Sequence, residues 1–250
     1  MAPKKAAAKK STNTTDAAVK PLPALPAPAG IRKSYKHALN LGSSLVLVMV
    51  GSPSQSFQIH RSLIMANSDF FRLALNGQWL EREGKVVLKE IDAAPFDGYV
   101  QYLYTGKIFT QHEGDVDQEN NTDAEWGRLV EMYFLGDFIT DVRFMNTVMD
   151  AIIEKVMQTR EWPAGHTQAI YDMTPDNSPL RRLISDLHVY WGINFNLSYA
   201  LQNTGAPKEF FQDVARTMVT LYHSPPGSLP PWEVDRCVYH DHTSGTCCQE

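Results

Sequence analysis

Leu45 to Val50 is an unbroken run of six apolar residues, β-branched at every second position and bounded by Ser43-Ser44 and Gly51. That is the pattern of a strand buried on both faces. Gly51 to Ser56 supplies a turn, and Phe57-Gln58-Ile59-His60 then alternates apolar and polar as a half-buried strand does, so the pair makes a hairpin. A short helix over Ser62 to Ala66 follows. Ser68 caps another that runs through Leu75, with Phe71, Ala74 and Leu75 facing inward and Asp69 at the positive end of the helix dipole. That helix stops near Asn76-Gly77. Val86-Val87-Leu88 gives a third strand, and Asp92 caps a helix with Pro95 in its first turn and Phe96, Tyr99, Val100 and Leu103 on one face. Gly106 ends it.

The second half is helical. Trp126, Leu129, Val130, Tyr133, Phe134 and Phe138 recur at helical spacing, and Asp141 caps a further helix with Met145, Met149, Ile152, Ile153 and Val156 inward. A few residues join the two, which makes a helical hairpin, and the spacing of Phe134, Phe138, Met145 and Met149 assigns them to core packing, not to a cofactor pocket. After Trp162-Pro163, Ser178 with Pro179 opens a helix through Leu180, Leu183, Ile184, Leu187 and Trp191, and another covers Pro207 to Tyr222. No repeat period is visible.

Composition changes the picture mainly at the ends. Residues 1–31 are Lys, Ala, Ser and Thr followed by PLPALPAPAG, which lacks the apolar surface to repay its ordering entropy, so a disordered basic and Pro-rich tail is expected there. The first twenty residues carry five lysines against one aspartate, and the remainder is therefore −9 in a chain of net charge −5. An acidic body is a poor match for phosphate backbones, and nucleic acid is not the expected partner. No apolar run is long enough to span a bilayer and no signal-peptide pattern opens the chain, so an intracellular protein of nucleus or cytoplasm is expected. All three cysteines fall at 237, 247 and 248, which leaves the body to be held by packing alone.

Six segments together resemble a known family: VLVMVG (46–51), FQIHRSLI (57–64), NSDFFRLAL (67–75), VVLKEIDAAPF (86–96), YLYTGKI (102–108) and LVEMYFLGDF (129–138). They are similar in order and spacing to the signatures of the BTB/POZ domain, with Phe57, His60, Ser68, Phe70, Phe71, Tyr104 and Gly106 as the motif residues. The resemblance implies an α+β fold over residues 43–160, a small mixed sheet flanked by helical hairpins, with an α-helical extension over 164–223 like that of many fungal BTB proteins and a tail over 224–250. It implies a non-enzymatic protein-interaction module with protein partners: a second copy of the chain as a homodimer, and a cullin-type ubiquitin ligase scaffold for which it would act as adaptor. Trp79 and Leu80, ahead of Glu81-Arg82-Glu83, lie where such proteins meet a cullin, and a satellite cluster over the core is the other reading of the same pair. One departure bears on the dimer. Ser44 stands where the family usually carries an Asp that pairs with a basic residue in the interface.

Chemistry is otherwise sparse. No metalloprotease, P-loop, nucleophile-elbow or dinucleotide motif is present, and His60 has no Cys, Asp or Glu beside it, so it is read as a hydrogen-bonded structural histidine. No catalytic residue and no cofactor is expected in the body. Thr110 to Glu125 is rich in carboxylates but puts Asn120 and Trp126 where a calcium loop needs Gly and Glu, so a solvated acidic loop is expected. Cys237, His240, His242 and Cys247 offer four zinc-type ligands at short spacing, and a polar tail without metal is the competing reading. A nuclear regulator that touches nucleic acid through the Lys tail or a zinc-bound C-terminus stays open as the alternative function.

Overall fold

The computed structural model describes residues 34–35, 38–76, 84–117, 122–191, 205–225 and 227–242. The chain divides into residues 1–38 and residues 39–250, and every element below belongs to the second unit. The basic tail expected over 1–31 lies outside the described residues.

Strand β1 (Leu45–Val50) is central in a three-stranded sheet of order β2-β1-β3. It pairs antiparallel with β2 (Gln55–His60), Leu45 opposite His60 and Val50 opposite Gln55, and parallel with β3 (Lys85–Leu88), Val48 opposite Val86. Val46, Val48 and Val50 are fully buried, whereas Leu47 and Met49 are half-buried and Leu45 is exposed. The expectation of a strand buried on both faces is thus corrected: continuous apolarity marks the middle strand, but only the face of Val46, Val48 and Val50 is fully buried. Each buried valine contributes roughly 1.5–3 kcal/mol of transfer free energy. The hairpin turn begins at Gly51, whose φ of +83° is a conformation that an L side chain resists.

Helices α1 (Arg61–Asn67) and α2 (Asp69–Asn76) cross from β2 to β3, and α3 (Ala93–Thr105) follows the sheet. A two-residue ribbon, β4 (Val116–Asp117) with β5 (Thr122–Asp123), then leads into α4 (Ala124–Phe138) and α5 (Val142–Thr159). The caps divide into those that work and those that do not. Asp141 accepts from the Phe144 amide at 2.9 Å and Ser68 from the Phe71 amide at 3.2 Å, as the sequence suggests. Asp92 and Ser178 occupy cap positions without a side-chain cap bond. For Ser178 a tertiary partner competes, the Tyr133 hydroxyl at 3.4 Å.

A 3₁₀ turn (Ala164–His166) leads into the extension, α6 (Thr167–Met173), α7 (Pro179–Tyr190) and α8 (Lys208–Tyr222). The last described stretch folds as α9 (Pro231–Val234) and a 3₁₀ turn (Arg236–Tyr239). Phe71, Phe96, Val148 and Ile152 from the sheet-bearing part and Leu183, Leu187, Phe210 and Tyr239 from the rest belong to one contiguous apolar cluster. Met145, Met149, Ile152, Ile153 and Val156 are all buried in it, and Phe134 packs against it. Phe138 departs from the expected inward face and is 47% exposed, because in the last turn of α4 Leu135 and the following Ile139 take the core-facing positions.

Candidate protein interaction surfaces

The motif residues form a frame. At the end of β2, His60 Nδ1 lies 2.8 Å from the Tyr104 hydroxyl, which also accepts the His60 backbone amide at 3.2 Å. Tyr104 is in the last turn of α3, and Gly106 ends that helix in the left-handed region, φ +67°, its amide returning to the Tyr102 carbonyl. The histidine and the Tyr-Thr-Gly segment, 44 positions apart, are therefore one joint between hairpin and helix. Phe57, on the same strand, is buried edge-on to Phe96 at 5.1 Å. The joint is structural, in keeping with a histidine read as hydrogen-bonded.

Ser68 is a second joint. Buried at 1% exposure, it caps α2 and donates its hydroxyl to the Ile139 carbonyl at 2.5 Å, fixing α2 to the turn between α4 and α5. Phe71 goes into the core, whereas Phe70 is half-buried with its ring 5.4 Å from that of Phe138. One helical turn on, Leu73 is 69% exposed. Phe70, Leu73 and Phe138 thus give the outer side of α2 an apolar face on a rigid support. Trp79 and Leu80 follow α2 in the chain and lie outside the described residues.

A second surface runs along the start of β1, where Leu39, Leu41, Ser44 and Leu45 are exposed. Ser44 carries no charge, and its carbonyl accepts the Arg61 amide at 2.8 Å. The Arg61 guanidinium donates to the Leu75 carbonyl, at the end of α2, at 2.5 Å. Arg61, the basic residue that follows the motif histidine, is thus held by a helix-end carbonyl.

Residues 43–123 match the model of the BTB/POZ domain family. This segment is a BTB/POZ domain. Over 81 residues the chain is 33% identical to Kelch-like protein 15 of Gallus gallus, covering 32% of this chain and 16% of that protein. Kelch-like protein 15 of Homo sapiens shows the same identity over 13% of its length, and Kelch-like protein 11 of Homo sapiens is 27% identical over 84 residues, 12% of its length. The chain thus spans only about an eighth to a sixth of the curated relatives it matches. A BTB/POZ domain is a protein-interaction module, and this one carries two exposed apolar surfaces.

Not everything near the BTB/POZ domain is as the sequence suggests. The expected solvated acidic loop over 110–125 keeps residues 111–114 exposed, but its end is corrected: Lys155 Nζ on α5 lies 2.6 Å from Asp123 and 2.7 Å from Glu125, all three nearly buried. Glu125 also accepts the Thr110 hydroxyl at 2.7 Å, and the ammonium lies 4.9 Å from the centre of the Trp126 ring. Burial opposes the charged ammonium, but the hydrogen bonds and charges of Asp123 and Glu125 outweigh it and hold the Lys155 pKa above its ordinary value. The carboxylates clamp the start of α4 to α5. Asp115 also finds a cation, Arg128, at 2.5 Å.

Between α4 and α5, Asp141 is fully buried and accepts the Tyr99 hydroxyl at 3.0 Å as well as the Phe144 amide. Burial raises its carboxyl to about 6 against these hydrogen bonds. A cleft of about 410 Å³ between α7 and α8 holds two ion pairs, Arg181 with Asp176 and Arg216 with Asp213. Of the suggested zinc ligands, His240 Nε2 lies 3.2 Å from Asp150, His242 Nε2 lies 3.1 Å from the Cys237 carbonyl, and Cys247 lies outside the described residues. Among the described residues no three His, Cys, Asp or Glu side chains gather as a metal site.

Among the described residues no helix is long and apolar enough to cross a membrane.

Proposed function

We propose that the chain is an adaptor whose BTB/POZ domain engages a cullin-type ubiquitin ligase scaffold through the outer face of α2 together with the Trp79-Leu80 segment that follows it. The observation that carries this is the apolar face of Phe70, Leu73 and Phe138 on a helix pinned through Ser68. Apolar and aromatic anchors on a rigid support supply most of the energy of such contacts. The Kelch-like relatives match over 81 to 84 residues, which supports the adaptor reading without naming a partner.

Self-association through Leu39, Leu41 and Leu45 is the companion proposal. With Ser44 uncharged and Arg61 already bonded within its own domain, the edge lacks a charged pair to fix register, so the dimer is weak and forms through apolar contact. The test of the adaptor reading is capture of a purified cullin N-terminal domain by the purified full chain. Replacing Trp79 and Leu80 by Ala should weaken capture at least tenfold. Unchanged capture by a folded double variant would remove that site, and no capture by the wild type would remove the ligase reading.

A further inference from the structure

Residues 227–242 pack like a bound peptide. The stretch begins after a linker rich in Pro, Gly and Ser, builds only single turns of its own, and leaves Leu229 and Val234 largely outside and Val238 partly so. Two aromatic anchors go in. Trp232, 2% exposed, meets the rings of Tyr190 and Trp191 edge-on at 5.7 and 5.3 Å. Tyr239, fully buried seven residues later, donates its hydroxyl to Asp186 at 2.6 Å.

Between and beyond the anchors the groove bonds the main chain of the segment. Arg182 donates to the Val238 carbonyl at 2.7 Å. Asn146 takes the peptide of Asp241 with both ends of its amide, accepting from the nitrogen at 2.9 Å and donating to the carbonyl at 3.0 Å. His240 sits against Asp150 at 3.2 Å. Asn146 and Asp150 are one turn apart on α5, and Arg182, Asp186 and Tyr190 are successive turns of α7, so the segment bridges the last helix of the hairpin to the extension. Main-chain hydrogen bonds for affinity and spaced pockets for selectivity are how proteins hold extended peptides.

We infer that the groove between α5 and α7 is a peptide-docking site, filled in cis by residues 230–241 as a releasable strap, and that its ligand chemistry is a Trp anchor followed seven residues later by Tyr-His-Asp. Tethering gives the strap an effective concentration on the order of millimolar. A peptide of the same chemistry from another chain therefore gains the groove only when the strap lets go.

Two experiments test this. In native-state hydrogen exchange of the wild-type chain, the amides of Asp235, Cys237, His240 and Asp241 should open together as one unit, with protection at least a hundredfold below that of Val148 to Ile153 in α5. Protection equal to that of α5 would make the strap integral core and overturn the inference, as would a simple gradient of fraying toward Asp241. In the second, a fluorescent peptide of residues 230–242 is titrated into the wild type and into a Trp232→Ala, Tyr239→Ala variant. The variant should bind it saturably and at least tenfold more tightly than the wild type, and Asn146→Ala on that background should abolish the gain. A folded variant that does not bind overturns the inference, and if the variant does not fold, the exchange experiment decides.

Discussion

Replacing Asp141 separates its two roles. Asp141→Ala removes the cap of α5, worth about 1 kcal/mol, and strands the buried Tyr99 hydroxyl, which costs about 1–3 kcal/mol. A loss of about 2–4 kcal/mol follows, a large share of the stability of a domain this size. Asp141→Asn keeps the cap through its one amide oxygen, puts an NH2 where Oδ2 accepts the Tyr99 hydroxyl, which can turn to accept instead, and removes the charge, so it should cost under about 1 kcal/mol near pH 7. The pH dependence tells the two apart. A carboxyl at about 6 in the fold against 3.8 in the open chain has a raised pKa, so its contribution is fully present below pH 4 and is lost as pH rises through 6. The whole effect is about 3 kcal/mol, roughly half of it between pH 5 and 7.5. Asp186, Asp137 and Glu131 are also raised, chiefly by burial, and push the same way. The difference between wild type and Asp141→Asn therefore isolates this residue. Urea unfolding at the two pH values measures it. An Asn variant with the same pH dependence as the wild type, or an Ala variant within 0.5 kcal/mol of it by roughly the resolution of such measurements, would refute the reasoning.

Three other outcomes follow from the same contacts. Lys155→Met leaves Asp123 and Glu125 buried without a cation and should destabilise by about 3–5 kcal/mol, read by thermal unfolding; a loss under about 1 kcal/mol would mean that the clamp is solvated. Sedimentation of the wild type should show a weak, concentration-dependent dimer that Ser44→Asp tightens, and a dimer already tight at nanomolar concentration would contradict the place given to Ser44. Chelation should leave the melting temperature unchanged whether or not the C-terminal segment takes up zinc, with any zinc lost on Cys237→Ala and His240→Ala, because the buried core among the described residues is built from apolar packing. Global unfolding by a chelator would overturn this.

The element order was legible because it rests on local patterns. Alternation along β2, the helical spacing from Trp126 to Val156 and the caps at Ser68 and Asp141 each depend on residues within a few positions of one another. What was missed depends on distance in the chain. Lys155 meets Asp123 across thirty-two positions, and only the folded helical hairpin makes a clamp of what looks like an acidic loop. The strap reads as a polar tail because Asp235 and Arg236 stand at the helical positions between its anchors, Trp232 and Tyr239, and break the apolar pattern. Ser178 has a capping sequence but its hydroxyl faces Tyr133, a competition that no local pattern shows. The candidate surfaces were half legible. Trp79, Leu80 and Ser44 were singled out on resemblance, whereas Leu73 and Phe138 needed the packed core to show which apolar residues stay outside.

Hydrogen exchange of the full chain with and without a purified cullin N-terminal domain tests the adaptor claim most directly. Binding should slow exchange over Asp69–Asn76 and the segment that follows it, leave the exposed face of α8 unchanged, and be lost on Leu73→Glu. Saturable binding that protects other elements and leaves α2 untouched, or no binding at tens of micromolar by a folded chain, would contradict it.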